Sequence, residues 1–164
     1  MTDFVAIFKT LTGRDVEFVV VGGVCAVLHG APVATIDLDL VHARTPENVE
    51  RLLSALEDLD ARYRVPGLKD RRPEPSHLSS PGHQLLVTRY GPLDLLGEVG
   101  AGRGFGELRP HTVELRVGEG LTVHVLDLET LITTKTEAGR EKDRAMLPVL
   151  RRTLAEKNRS RPEK

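Results

Sequence analysis

The chain has 164 residues, of which 40% are hydrophobic, which is enough for one domain with a sizeable core. A formal net charge of −1 excludes overall steering toward nucleic acid or anionic lipid, and 4% aromatic residues argue against a base-stacking surface. No apolar run approaches the roughly 18 residues of a membrane span, and a lone cysteine fits a reducing compartment. We therefore expect a single cytoplasmic domain over residues 1–164, with a frayed tail at 155–164.

The first half of the chain alternates segments of helical and strand character. A proline directly after a threonine, followed by a glutamate, is typical of a helix start. In chain order, we predict a helix ending at Gly13, a buried strand at 16–21, a short helix after Gly23, a strand at 36–42 and a helix that begins at Thr45 and lies on the sheet.

The second half is richer in strands. We predict a short strand at 61–65, a pair at 84–90 and 93–99, a hairpin at 113–117 and 121–126, and a closing helical region capped by Asp127. Four prolines indicate a long loop at 66–82, either functional or a disordered insert. The glycines of 100–106 suggest a mobile loop, because no helix is expected to follow them. The pattern predicts an α/β fold: a mixed, twisted sheet with helices mainly on one face.

Two aspartates on the second predicted strand are the main functional signal. Side chains alternate along a strand, so Asp37 and Asp39 share one face, with Cα atoms roughly 6.5 Å apart, while Ile36, Leu38 and Leu40 point into the core. Two carboxylates on an apolar strand repel each other and lose hydration. A divalent cation between them would remove both penalties, so the pair predicts a metal site.

Together with the preceding glycines, this pair resembles a known motif. Gly22-Gly23, a short helix and then Asp37-x-Asp39 are similar to the signature of the nucleotidyltransferase superfamily with the DNA polymerase β-like fold. Small bacterial AbiEii-type toxins and lincosamide-type adenylyltransferases are the nearer likeness. The resemblance implies that the glycine pair begins a helix beneath the nucleotide phosphates, and that the aspartates hold catalytic Mg²⁺ or Mn²⁺.

The resemblance also implies a third carboxylate from a later strand, and Asp94 matches it. Asp94 is a lone carboxylate in an apolar segment, and Glu98, four residues on, is the rival candidate. Two metal ions roughly 3.5–4 Å apart would clamp the attacking oxygen and the α-phosphate. The alternative is that Asp94 is a surface hairpin residue.

A lysine followed by a basic and acidic cluster near the C-terminus is also similar to AbiEii-type proteins. The matching positions are Lys135, Lys142 and Asp143, and the resemblance implies that they bind the nucleotide. These charges could equally form a solvated helix face. Cys25, with no adjacent base, is predicted to be a buried small residue.

The resemblance thus implies transfer of a nucleoside monophosphate from a nucleoside triphosphate to a hydroxyl of a tRNA, a small molecule or a protein. A toxin–antitoxin role would add a cognate antitoxin as partner, and no membrane is involved. Two departures favour an alternative, a catalytically idle nucleotide- or partner-binding module. Val33, Ala34 and Thr35 stand where many relatives have an arginine, and Val24 stands where many have serine.

Overall fold

The computed structural model describes residues 1–160, and a seven-stranded mixed sheet forms its centre. Across the sheet the order is β3-β4-β5-β2-β1-β7-β6, with β2 parallel to β5 and β1 parallel to β7. The predicted mixed α/β fold is confirmed. The strands are β1 (Phe18–Val21), β2 (Leu38–His42), β3 (Arg62–Tyr63), β4 (His83–Thr88), β5 (Gly91–Leu96), β6 (Thr112–Gly118) and β7 (Leu121–Leu126).

Seven α-helices accompany the sheet within residues 1–160, none of them long and apolar enough to cross a membrane. Two predicted helix starts are confirmed, since Thr45 accepts a hydrogen bond from the Asn48 amide and Asp127 from the Thr130 amide. The helices are α1 (Phe4–Gly13), α2 (Gly22–Leu28), α3 (Pro46–Asp58), α4 (Pro75–Ser79), α5 (Phe105–Leu108), α6 (Leu128–Ala138) and α7 (Glu141–Arg159).

The core lies around the three central strands. Every residue of β1 is buried, and Leu38 and Leu40 of β2 and Leu93 and Leu95 of β5 are at most 1% exposed. Apolar residues on both faces are expected of strands in the middle of a sheet. A carboxylate on β2 or β5 is therefore held by strands whose neighbouring residues are tightly packed in the core.

One prediction about β2 is wrong. Ile36 is 64% exposed and does not point into the core, and the strand begins only at Leu38. The preceding stretch is irregular and contains Pro32, which has no N–H to donate. The Ile36 carbonyl instead accepts a hydrogen bond from the Thr2 hydroxyl at 2.6 Å. Asp37 therefore lies one residue before the strand.

Two segments are more ordered than the sequence predicts. The long-loop region contains α4, whose Leu78 is buried and whose Leu78 carbonyl accepts a hydrogen bond from His42 Nε2 at 2.8 Å. The predicted tail is helical through Arg159, because buried Leu150 and Thr153 anchor the end of α7. Residues 161–164 of that tail lie outside the described residues.

Candidate active site

Asp39 and Asp94 are direct neighbours on the sheet. β2 and β5 run parallel with Asp39 opposite Asp94, so both side chains leave the same face. On the other side of β2, Asp39 pairs with Val21, the last residue of β1. The aspartates thus lie beside the point where the chain leaves β1 for α2.

Gly22 is required by the closeness of Asp39. A Cβ at Gly22 would lie 2.2 Å from Asp39 Oδ2, and its φ of +69° is one that other residues rarely adopt. A Cβ at Gly23 would meet the Thr35 hydroxyl at 2.9 Å. The glycine pair therefore lets the start of α2 pack directly against the segment that carries the aspartates.

The two carboxylates differ in their partners. Asp94 Oδ1 accepts a hydrogen bond from Arg64 Nη1 at 2.5 Å, and Asp94 is 8% exposed. No N–H donor within residues 1–160 hydrogen-bonds to the half-buried Asp39 carboxylate. Burial, followed by the negative charge of Asp94, raises the pKa of Asp39 to about 7, and Asp37 adds to this effect.

The carboxylates of Asp39 and Asp94 are chemically suited to a divalent cation, although they do not form a complete metal site. Carboxylate oxygens are the ligands that Mg²⁺ and Mn²⁺ prefer, and Asp39 lacks a cationic partner. However, no three His, Cys, Asp or Glu side chains among residues 1–160 are grouped so that they could hold a metal ion. Arg64 occupies one oxygen of Asp94, so a bound ion would have to share or take that carboxylate.

The opposite wall of the site is formed by α6 and α7. Lys135 Nζ donates a hydrogen bond to Asp143 Oδ1 at 3.0 Å, and Arg140 Nε donates to Asp143 Oδ2 at 2.7 Å. The Asp143 side chain is fully buried. Burial opposes its ionisation, but the hydrogen bonds from Arg140 and Lys135 outweigh burial and lower the pKa of Asp143.

Between these walls is a cleft of about 250 Å³. Asp39, Gly22, Lys135 and Asp143 line it, so the structure brings together predicted residues from distant parts of the chain, and Arg140 joins them. Other predicted residues are not among the residues that line it. Gly23 packs against Thr35, Asp94 lies beside Asp39, and Lys142 is exposed on the first turn of α7.

Glu98, the rival to Asp94, lies beyond the end of β5. It lines the cleft, where its carboxylate accepts a hydrogen bond from Arg44 Nη2 at 3.2 Å. Glu98 thus already has a cationic partner, and its place beyond β5 separates it from the paired strands. The geometry favours Asp94 as the partner of Asp39.

The glycine-rich segment 100–106 is attached to α6. Glu137 accepts hydrogen bonds from Arg103 Nε and Nη2, both at 2.8 Å, and from the Ala101 amide at 3.2 Å. A Cβ at Gly100 would lie 2.6 Å from Glu137 Oε1, and its φ of +59° is one that other residues rarely adopt, so glycine suits this close approach. One helical turn, α5, follows, although no helix is expected there from the sequence.

Arg64 and Arg140 are site residues that sequence reasoning misses. Arg64 follows the two-residue strand β3, and its pairing with Asp94 depends on β3, β4 and β5 lying side by side. Arg140 lies in a cluster of charged residues whose pattern is typical of a solvent-exposed helix face. Its role follows from the burial of Asp143, whose charge requires cationic partners, and the sequence carries no signal of that burial.

Cys25 is buried, as predicted. Its thiol donates a hydrogen bond to the Leu126 carbonyl at 3.2 Å, and burial raises its pKa. His29 Nε2 donates to the same carbonyl at 2.7 Å. These groups join α2 to β7 and take no part in the cleft.

A solved structure shares this architecture. No protein-family model and no curated protein matches the chain. The crystal structure of a "putative nucleotidyltransferase" from Thermotoga maritima matches with a TM-score of 0.55 and 18% identity, over 92% of this chain and 89% of that one. This chain has a nucleotidyltransferase-like fold. Its resemblance to AbiEii-type proteins stays a prediction.

Proposed function

We propose that this protein transfers a nucleoside monophosphate from a nucleoside triphosphate to a hydroxyl, with release of pyrophosphate. One observation carries the proposal: two neighbouring carboxylates, Asp39 and Asp94, lie on the sheet beside a cleft whose other wall presents Lys135 and Arg140. Negative groups suited to a metal thus face positive groups suited to phosphate.

The residues would divide the work as follows. Asp39 and Asp94, with Asp37 beside them, would hold Mg²⁺ or Mn²⁺, which supplies charge neutralisation at the α-phosphate. Lys135 and Arg140 would contact the triphosphate, while Asp143 fixes both cations in place. Catalysis of this kind needs positioning and charge more than covalent participation by the protein.

A turnover assay tests this proposal. The protein is incubated with each of the four ribonucleoside triphosphates, Mg²⁺ and cell extract, and pyrophosphate release is measured. We expect release that depends on extract, is abolished by EDTA and is lost in Asp39→Asn. Release by Asp39→Asn equal to that of the parent would contradict the proposal.

A second function, a catalytically idle binding module, is favoured by specific substitutions in the site. Val24 is apolar and 4% exposed where a serine could contact phosphate, and Thr35, not an arginine, packs on Gly23. Such a module would bind nucleotide in the presence of Mg²⁺ without releasing pyrophosphate. Isothermal calorimetry combined with the turnover assay separates the two functions.

A further inference from the structure

Arg64 is a cation built into the carboxylate site. Its guanidinium donates to Asp94 Oδ1 at 2.5 Å and to the Leu86 carbonyl at 2.8 Å, while its amide donates to the Leu85 carbonyl at 3.2 Å. The hydrogen bond to Asp94 raises the pKa of Arg64, and the negative charges of Asp94, Asp37 and Asp39 add to this effect. One guanidinium is therefore within reach of the charge of all three aspartates.

The orientation of Arg64 is specific to this residue. Arg62, two positions earlier on β3, instead donates to Asp60 at the surface. The Arg64 side chain is 28% exposed and that of Asp94 is 11% exposed, so their pair is largely shielded from water. Charges shielded in this way interact more strongly than exposed ones, and an ion arriving at Asp94 would experience Arg64 directly.

We propose that Arg64 is an internal counter-cation that competes with the divalent ion for the carboxylates of β2 and β5. The inference rests on the metal site of the proposed function and adds its control by this chain's own residue. In the free protein the guanidinium neutralises Asp94. Metal binding then weakens the Arg64–Asp94 pair, and the guanidinium keeps the Leu86 carbonyl as an acceptor.

The geometry allows this exchange. Arg64 engages only one oxygen of Asp94, and the residues that follow it, Gly67 to Arg72, are exposed. The Arg64 side chain is itself 28% exposed, so the guanidinium can turn from Asp94 toward solvent while it keeps its hydrogen bond to the Leu86 carbonyl. Three aspartates and one arginine leave a formal charge of −2, whereas without Arg64 the charge is −3, which attracts a divalent ion more strongly.

The test measures Mn²⁺ binding to the protein in the absence of nucleotide, so it does not depend on activity. The concentration of free Mn²⁺ is read from its electron paramagnetic resonance signal. Arg64→Gln should bind Mn²⁺ about tenfold more tightly than the parent, or tighter still, because one positive charge near the ion is removed. Arg62→Gln, which removes the same charge from the neighbouring position, should bind like the parent. Arg64→Lys, which keeps the charge, should stay within about threefold of the parent.

The outcomes separate the two proposals. If the parent binds Mn²⁺, Asp39→Asn does not, and Arg64→Gln binds no more tightly than the parent, the competition is refuted and the metal site stands. If neither the parent nor Arg64→Gln binds millimolar Mn²⁺, both proposals fail. Circular dichroism establishes that each variant is folded.

A second measurement needs no substitution at Arg64. The guanidinium Nε–H resonance of Arg64 in the parent protein, assigned by its absence from Arg64→Lys, is followed during a Mg²⁺ titration. It should shift with the midpoint of metal binding as the pair with Asp94 weakens. A resonance that stays in place while Mg²⁺ saturates the site would overturn the competition.

Discussion

Two carboxylates face the same cleft from opposite walls and have opposite electrostatics. Asp143, on α7, is fully buried, yet its pKa is lowered. Asp39, on β2, is more exposed, yet its pKa is raised to about 7. The difference lies in their partners, since Asp143 accepts hydrogen bonds from Lys135 and Arg140, whereas Asp39 has Asp94 beside it.

The partners of a buried carboxylate distinguish a structural charge from a functional one. A buried carboxylate whose cations are supplied by the fold is stable as it stands. A carboxylate placed beside another, with no cation of its own, costs stability, and the metal ion of the proposed function would remove that cost. Asp143 is of the first kind and Asp39 of the second, so their substitutions should have different consequences.

Asp39→Asn should have the largest effect on activity. We expect kcat/KM to fall about 10³-fold or more, because the metal that would stabilise the transition state in the proposed reaction would no longer be held. The free energy of unfolding should be unchanged or about 1 kcal/mol higher, since repulsion from Asp94 is relieved. Pyrophosphate release and urea denaturation measure the two quantities. A matched control is Asp58→Asn, an exposed carboxylate on α3 that should leave turnover unchanged.

Asp143→Ala should act mainly on stability. Removing the buried partner of Lys135 and Arg140 should lower the free energy of unfolding by about 2–3 kcal/mol, below the full value of a buried pair because Arg140 is half exposed. Urea denaturation measures this. Glu141→Ala, an exposed acid on the same turn, should change stability by less than about 0.5 kcal/mol. Equal effects of the two variants on the free energy of unfolding would contradict a stabilising role of Asp143.

The same residue predicts a dependence of stability on pH. The pKa of Asp143 is lowered in the folded protein, so its contribution is complete above about pH 4, the unfolded value, and is lost as pH falls through the folded pKa. As the pH falls below about 4, the parent should therefore lose more stability than Asp143→Asn. Thermal unfolding across this range measures it, and parallel curves would contradict it.

Lys135→Ala should have an intermediate effect, mostly on nucleotide binding. A charge-assisted hydrogen bond to the triphosphate is worth roughly 1.5–3 kcal/mol, so kcat/KM should fall about ten- to a hundred-fold, chiefly through a higher KM. Steady-state kinetics with each nucleotide measures it. Arg151→Ala, an exposed cation further along α7, serves as the control. An unchanged KM and kcat in Lys135→Ala would show that Asp143 is its only partner.

Glu137→Gln should have the smallest effect. Neither Arg103 nor Glu137 lines the cleft, although their hydrogen bond lowers the pKa of Glu137 to about 2, so the loss of this pair should raise the nucleotide KM only about two- to fivefold. Hydrogen exchange at the Ala101 amide should become faster, because that amide loses a charged acceptor. Exchange at the parent rate would show that Glu137 does not hold the glycine segment.

Most of the fold can be predicted from the sequence, because most helices and strands are marked by residues within or next to them. Thr45 and Asp127 mark helix starts that the structure reproduces, and β4 and β5 form the predicted pair. Their turn lies at Arg89-Tyr90, however, and Gly91-Pro92, which looks like a turn in the sequence, belongs to β5. The start of β2 was missed, because Ile36 looks like a core residue until its carbonyl is seen bonded to Thr2 at the surface. Such a long-range contact has no local signature.

The candidate site divides in the same way. Asp37 and Asp39 are visible in the sequence because charges in an apolar strand are costly. The pairing of Asp94 with Arg64 is not visible, since it depends on the order β3-β4-β5-β2 across the sheet. Which of the charges near the C-terminus face the cleft also depends on how α6 and α7 pack, which places Arg140 there and leaves Lys142 exposed.

The most direct test of nucleotidyl transfer follows the fate of each phosphate. Nucleoside triphosphate labelled at the α-phosphate, or in a parallel reaction at the γ-phosphate, is incubated with the protein, Mg²⁺ and cell extract. The proposed reaction predicts that the α label becomes attached to an acceptor and the γ label leaves as pyrophosphate, with both events absent in Asp39→Asn. Attachment of the γ label, or of neither label, would contradict it.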